Sequence, residues 1–162
     1  MISNNKYDYI ICGGGASGLL LSNALISDSF FDNKKILIIE KEAKVDNDKS
    51  FSFWDNESNI LDRIVFKSWE KAEFKDSEFS SSFNLSPYKY KMVRSDRFYS
   101  YMKKKIDKAS NFNYLNATVK DIDRNSNQNY VKTDLGNFEC SIVFSSIYAV
   151  SYTHLTLPTS VI

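Results

Sequence analysis

Apolar residues first gather in a short, nearly continuous run, Tyr7 to Cys12, with no polar face. Such a run predicts a central strand of a parallel sheet covered on both sides. Four of the chain's five glycines follow at once, at Gly13, Gly14, Gly15 and Gly18. A helix is predicted from Ala16 to about Ser27, with Leu19, Leu20, Asn23, Ala24 and Ser27 on the faces that pack against the sheet. After a polar turn in which Phe30 and Phe31 act as a plug, Lys35 to Glu40 reads as a second buried strand. Together these segments make one strand–helix–strand unit of the usual length.

The pattern then weakens. Residues Glu42 to Ser58 carry no sustained periodicity beyond the aromatic patch Phe51, Phe53 and Trp54, and read as a loop crossing the face of the domain. Arg63 to Phe66 and Lys71 to Phe74 are candidate strands of an antiparallel excursion. Tyr88 to Val93 alternates with period two, as a half-buried strand does. Ser95 is placed to cap a helix of about fourteen residues, with Phe98, Met102 and Ile106 on one face at i, i+4 spacing and the lysines 103–105 at its C-terminal end. Phe112 to Asp123, Tyr130 to Asp134 and Phe138 to Ser145 read as three further strands, the last two joined by a turn at Leu135, Gly136 and Asn137.

Length and composition narrow the classes. At 162 residues there is room for one core, and a net charge of +1 with no basic run excludes a nucleic-acid backbone as partner. An aromatic content of 15% with few glycines outside the turn suits a strand-rich α/β or α+β body. No segment approaches the roughly 20 apolar residues of a membrane span, and the start of the chain does not read as a signal peptide, so a soluble or peripheral protein is expected. Cys12 and Cys140 lie in apolar stretches without metal-ligand spacing and are expected to be buried thiols of a reducing compartment. The acidic residues likewise lack metal-type spacing, and His154 has no nucleophile placed with it.

The chemistry lies in the glycine run. Gly13, Gly14, Gly15, Ala16 and Gly18 complete a G-x-G-x-x-G pattern between a strand and a helix, where backbone amides form a site for a pyrophosphate. Gly13 permits the tight turn, Gly15 lets the backbone approach the phosphates, and Gly18 lets the helix pack on the strand. Glu40 follows about 20 residues later at the end of the next strand, where a carboxylate accepts ribose hydroxyls. Its charge disfavours the 2′-phosphate of NADP at this site and leaves FAD and NAD open. Placement of the motif near the start of the chain, with a long region after it, favours FAD.

The segments YDYIICGGGASGLLLSNAL, KKILIIEKE, NDKSFSFWD, IVFKSWEK and SPYKYKMVRSDRFYSYM, in this order, resemble the N-terminal half of the bacterial lycopene cyclases, from about Tyr7 to about Ile147. The resemblance implies an FAD/NAD(P)-binding, Rossmann-like α/β fold of the glutathione-reductase type. Its parallel sheet carries an antiparallel excursion around 45–93, the whole being truncated. It implies reduced FAD, kept reduced by NAD(P)H, and a redox-neutral closure of acyclic lycopene ends to β-ionone rings in carotenoid biosynthesis. The full-length parent would be cytoplasmic and peripheral to the membrane. Gly13, Gly14, Gly15, Ala16 and Gly18 would hold the pyrophosphate, and Glu40 with Lys41 the ribose. Arg94, matching the arginine after the family's Tyr-x-Tyr strand, would bind the cofactor's phosphates or order the loop over it, and Val119 would offer backbone to adenine. Lys49 stands where the family usually has arginine. The acids that protonate the substrate are expected downstream, so this chain names no catalytic residue and is expected to be inactive alone. Residues 1–149 are expected to form the cofactor-binding part, and 150–162 to be a non-native tail resembling sequencing-adaptor read-through. Another FAD-dependent oxidoreductase or monooxygenase of the same fold, or a non-catalytic dinucleotide-binding fragment, stands as the alternative.

Overall fold

The computed structural model describes residues 5–44, 46–125 and 128–147, in two compact units. The first unit comprises Met1–Ala43 and Ala109–Ile162. It begins with β1 (Lys6–Cys12), α1 (Ala16–Ile26) and β2 (Ile36–Glu40), and resumes with β8 (Phe112–Asn116), β9 (Val119–Asn125), β10 (Gln128–Thr133) and β11 (Gly136–Ser145). Between them in sequence lies the second unit, Lys44–Lys108.

The six strands of the first unit are ordered β8-β2-β1-β11-β10-β9. β8, β2, β1 and β11 run parallel, whereas β9, β10 and the start of β11 form an antiparallel meander. β11 is ten residues long because it serves both parts. Its first half pairs with β10 through Gly136 to Cys140, and its second half continues along β1 to Ser145.

Every residue of β2 is buried, as its unbroken apolar run requires. Ile10, Cys12, Leu37 and Ile39 share a core with Ala117, Val131, Phe138 and Cys140 from the last third of the chain. On the opposite face of β1, the Ile11 side chain approaches Gly18 of α1. Both cysteines are buried and unpaired, as expected. Burial pushes the Cys12 thiol up to about 12 and the Cys140 thiol up to about 11.

Three expectations need correction here. α1 buries Gly18, Leu19, Ser22, Asn23 and Leu25, while Leu20, Ala24 and Ser27 face outward. A helix whose residues are mostly apolar gives little directional signal, so the inward face was set by where Gly18 allows close approach. Only Phe31 plugs, meeting the Tyr9 ring edge-on at 5.5 Å; Phe30 is exposed beneath the Lys34 ammonium. The expected strand Phe112 to Asp123 is two strands on opposite edges of the sheet, broken where the Ala117 amide donates to the Glu40 carbonyl and the Thr118 amide to the Asp134 carboxylate.

In the second unit, β3 (Ser50–Asp55), β4 (Val65–Trp69) and β7 (Lys89–Arg94) form a sheet ordered β3-β7-β4, and β5 (Lys71–Lys75) pairs with β6 (Ser80–Asn84) as a hairpin. α2 (Ser95–Ile106) follows β7 and buries Phe98, Tyr99, Met102 and Ile106. Phe51 of β3 packs on Phe98 at 5.1 Å and on Tyr99 at 6.1 Å between ring centres.

The aromatic patch expected in a loop is thus strand β3, whose alternation Phe51-Ser52-Phe53-Trp54 was masked by an aromatic at both faces near its end. β6, with its run of serines, carries no apolar alternation to announce it. Nor does Ser95 cap α2: the N-cap is Arg94, without a side-chain cap bond. Ser95 is fully buried, accepts from the Lys49 amide at 3.1 Å, and lies 3.1 Å from the Asp46 carbonyl and 3.2 Å from the Asp48 carboxylate. Its hydroxyl therefore fastens the segment entering β3.

Candidate dinucleotide-binding site

The C-terminal ends of β1, β2, β8 and β11 converge around the glycine turn. The Gly13 amide donates to the Ile39 carbonyl at 2.8 Å, and the Ser146 amide to the Cys12 carbonyl at 2.9 Å. Ligands of open parallel sheets bind at this end of the strands.

Each glycine has its own constraint. Gly13 has φ +107°, a backbone conformation that side chains resist. A Cβ on Gly18 would collide with the Gly13 carbonyl oxygen, so close contact between helix and turn requires glycine there. Nothing lies within 4 Å of the position a Gly15 Cβ would take, leaving open space at the head of α1. Gly15 is the N-cap of α1, without a side-chain cap bond, and the first turn carries no acidic residue. The free amides there retain the positive end of the helix dipole for a ligand.

Gly14, expected with its neighbours to hold the pyrophosphate, is held by Glu40. Its amide donates to Glu40 Oε2 at 2.7 Å, while Glu40 Oε1 accepts the Glu42 amide at 3.0 Å. Glu40 is buried, so these two bonds orient the carboxylate. A Cβ on Gly14 would lie 2.7 Å from the Tyr114 hydroxyl and 2.9 Å from Glu40 Cβ.

Tyr114 and Ser146 are therefore site residues that sequence reading missed. Tyr114 arrives because β8 pairs with β2 in the register Ile38 to Tyr114. Ser146, whose hydroxyl donates to the Cys12 carbonyl at 3.3 Å, arrives because β11 pairs with β1. Both pairings are distant in sequence, and neither residue stands in a motif.

The other expected positions are distributed. Lys41 is exposed, 3.6 Å from Glu42. Val119 begins β9 and packs against the core of the first unit. Arg94 lies in the second unit, at the end of β7, paired with Asp96 at 3.1 Å, its guanidinium 5.6 Å from the centre of the Phe66 ring. Lys49, also in the second unit, is 3.5 Å from Asp48. His154 and the expected tail 150–162 lie outside the described residues. Among the described residues, no group of His, Cys, Asp and Glu side chains could hold a metal ion, and no helix is long and apolar enough to cross a membrane.

Solved structures share this architecture. A probable FAD-dependent monooxygenase, PqsL, from Pseudomonas aeruginosa aligns with a TM-score of 0.68 at 14% identity, over 86% of this chain and 42% of its own. The p-nitrophenol 4-monooxygenase PnpA from Pseudomonas putida aligns with a TM-score of 0.67 at 14% identity, over 87% and 40%. OxyS anhydrotetracycline hydroxylase from Streptomyces rimosus gives 0.62 at 18%, over 86% and 31%. The fold is the Rossmann-like fold of these proteins, and the chain spans less than half the length of each. No curated protein matches the sequence. The profile of the lycopene cyclase protein family matches residues 8–157. With nearly its whole length matched, the chain belongs to the lycopene cyclase family.

Proposed function

We propose that this chain is the N-terminal, FAD-binding part of a lycopene cyclase that closes acyclic lycopene ends into β-ionone rings. The observation that carries the cofactor reading is the link from the Gly14 amide to Glu40, which sets an oriented carboxylate beside the open head of α1. The residues present fit the group. A pyrophosphate has uncapped helix amides and the open position at Gly15, while Glu40 presents, beside them, a carboxylate of the kind that accepts ribose hydroxyls. The same negative charge turns away a 2′-phosphate. Lys41 at the rim, the Val119 backbone and the Arg94 guanidinium are the further contacts proposed for the dinucleotide.

The reaction reading rests on family membership. When bound and reduced, the flavin supplies negative charge beside a cationic transition state, where a dry site makes that charge count for more than it does in water. The chemistry is redox-neutral, with NAD(P)H needed only to keep the cofactor reduced. Protonation of the terminal double bond is assigned to a carboxylic acid downstream of the residues described here. What these residues do is bind and orient the cofactor. The substrate is a hydrocarbon that dissolves in the bilayer, so the whole enzyme would act in the cytoplasm at the membrane surface.

Expression of the complete reading frame in lycopene-accumulating cells tests the reaction. Cyclised carotene is expected, and its absence at normal protein levels overturns the cyclase. The likeness to monooxygenases supports a second reading, a hydroxylase of the same fold; oxygen uptake and NAD(P)H loss matched to product would select it. For the chain alone, the expected results are a yellow protein that loses its flavin on Gly15→Val, and no cyclised product.

A further inference from the structure

The three-stranded sheet of the second unit carries a row of rings on the face turned away from α2. Phe51 and Val93 lie opposite one another on β3 and β7 and share the face on which Phe51 packs against Phe98 of α2. Tyr90 lies on the other face, with Trp54 directly across from it on β3 and Trp69 directly across on β4. The two indole rings lie 4.9 Å and 5.7 Å from the Tyr90 ring between centres. Trp54 remains 57% exposed, and Tyr90 and Trp69 are half-buried.

Met92, two residues from Tyr90 and on the same face, walls a cleft of about 460 Å³ together with Ser50 and Phe66. That volume is in the range of sites that enclose small organic molecules. Asp48, Lys49 and Arg94 line the same cleft. From Arg94 to Tyr90 the face runs about 13 Å at the rise of a β-strand.

These features select the occupant. The Lys67 ammonium already lies 5.2 Å over Trp69, so a cationic ligand meets an engaged ring and a like charge. A protein partner, a second copy included, finds too little surface. Rings of this kind offer about 150–250 Å² each, and these three, mostly half-covered, present less than about 400 Å² against the about 800 Å² a side of a standard protein interface. An elongated, uncharged molecule that lays flat unsaturated units on the rings meets both conditions.

Building on the cyclase reading above, we infer that Met92 and the row Trp54, Tyr90 and Trp69 form a seat for an acyclic isoprenoid hydrocarbon end. The site lies wholly in the second unit and uses no residue of the glycine turn.

Trp54 and Trp69 are the chain's two tryptophans, so intrinsic tryptophan emission reads this row directly. Squalene, an acyclic isoprenoid hydrocarbon delivered in cyclodextrin, is the probe for the full chain. A saturable shift of the emission to shorter wavelength is expected as the hydrocarbon displaces water from Trp54. Ser52 is exposed on the same face, opposite Met92, so Ser52→Glu is expected to melt as the parent does and to bind squalene about tenfold more weakly. No saturable shift, or equal affinity in Ser52→Glu, overturns the site. A chain that sediments as a dimer and is made monomeric by Ser52→Glu places a second copy on this face and overturns it as well. In the complete protein, Ser52→Glu is expected to cut cyclised carotene about tenfold at unchanged FAD content; undiminished product overturns the site and leaves the cyclase standing. A complete protein that makes no cyclised carotene, while squalene still shifts the emission of the chain, removes the cyclase and leaves the hydrocarbon seat.

Discussion

Gly15 and Gly18 belong to one motif and are separated by the physics of their surroundings. A methyl group at residue 18 meets the Gly13 carbonyl, a backbone atom that cannot rotate away, whereas one at residue 15 meets nothing. Gly18→Ala is therefore expected to cost about 1–3 kcal/mol through forced displacement of α1 from the turn. Gly15→Ala, at an N-cap with φ −75°, is expected to change stability by less than about 1 kcal/mol while filling the space a pyrophosphate needs. Urea midpoints and FAD titrations of the two variants separate the roles; equal losses of stability would refute them. These roles for Gly13, Gly15 and Gly18 were legible in the spacing of the residues. The demand on Gly14 was not, because it comes from Tyr114 and Glu40, side chains brought in by other strands.

Strands announced themselves wherever one apolar run met two covered faces, as in β1 and β2, and stayed hidden where burial was slight, as in β6. The buried Cys12 and Cys140 tie the parallel strands to a pH dependence. Their thiols are raised from 9.0 to about 12 and about 11, so the unfolded chain loses these protons first. Stability from this source is complete below pH 9 and declines as the pH rises toward 12. Alkylation at pH 8 is expected to be slow in the folded chain and fast in urea; rapid labelling of the native chain would show the strands to be open.

In the second unit, Lys91 of β7 donates to Asp62 at 2.6 Å and Asp55 at 2.9 Å, joining the end of β3 to the turn before β4. The Lys91 ammonium holds both carboxyls below their ordinary 3.8, and they in turn hold Lys91 above 10.5. The carboxylates' share of stability is present above pH 3.8 and lost as the pH falls through their depressed values, while that of Lys91 is lost only above pH 10.5. Lys91→Met is expected to lower the melting temperature at pH 7 and to differ less from the parent at pH 3. A deficit as large at pH 3 would mean that lost packing, not charge, was responsible.

The molecule as a whole exposes more aromatic surface than its charge pattern suggests. In the β5–β6 hairpin region Phe74, Phe79 and Phe83 are each at least half exposed, and Phe74 and Phe79 touch at 6.1 Å between ring centres. Patches of this kind bind environment-sensitive dyes. The chain is expected to do so in its native state, and Phe74→Ser with Phe79→Ser to reduce the signal without moving the urea midpoint; an unchanged signal would place the dye elsewhere.

From the order of residues alone came the strand–helix–strand unit, the glycine turn, the answering carboxylate and the family. All of these are local in the chain, and local spacing carries them. The assembly of four strand ends around the turn, the division of β11 between two ladders, and the approach of Arg94 and Arg97 to one Phe66 ring required the folded chain. Each depends on contacts between residues far apart in sequence, and the register of such pairings is set by packing of the assembled core rather than by any short run of side chains.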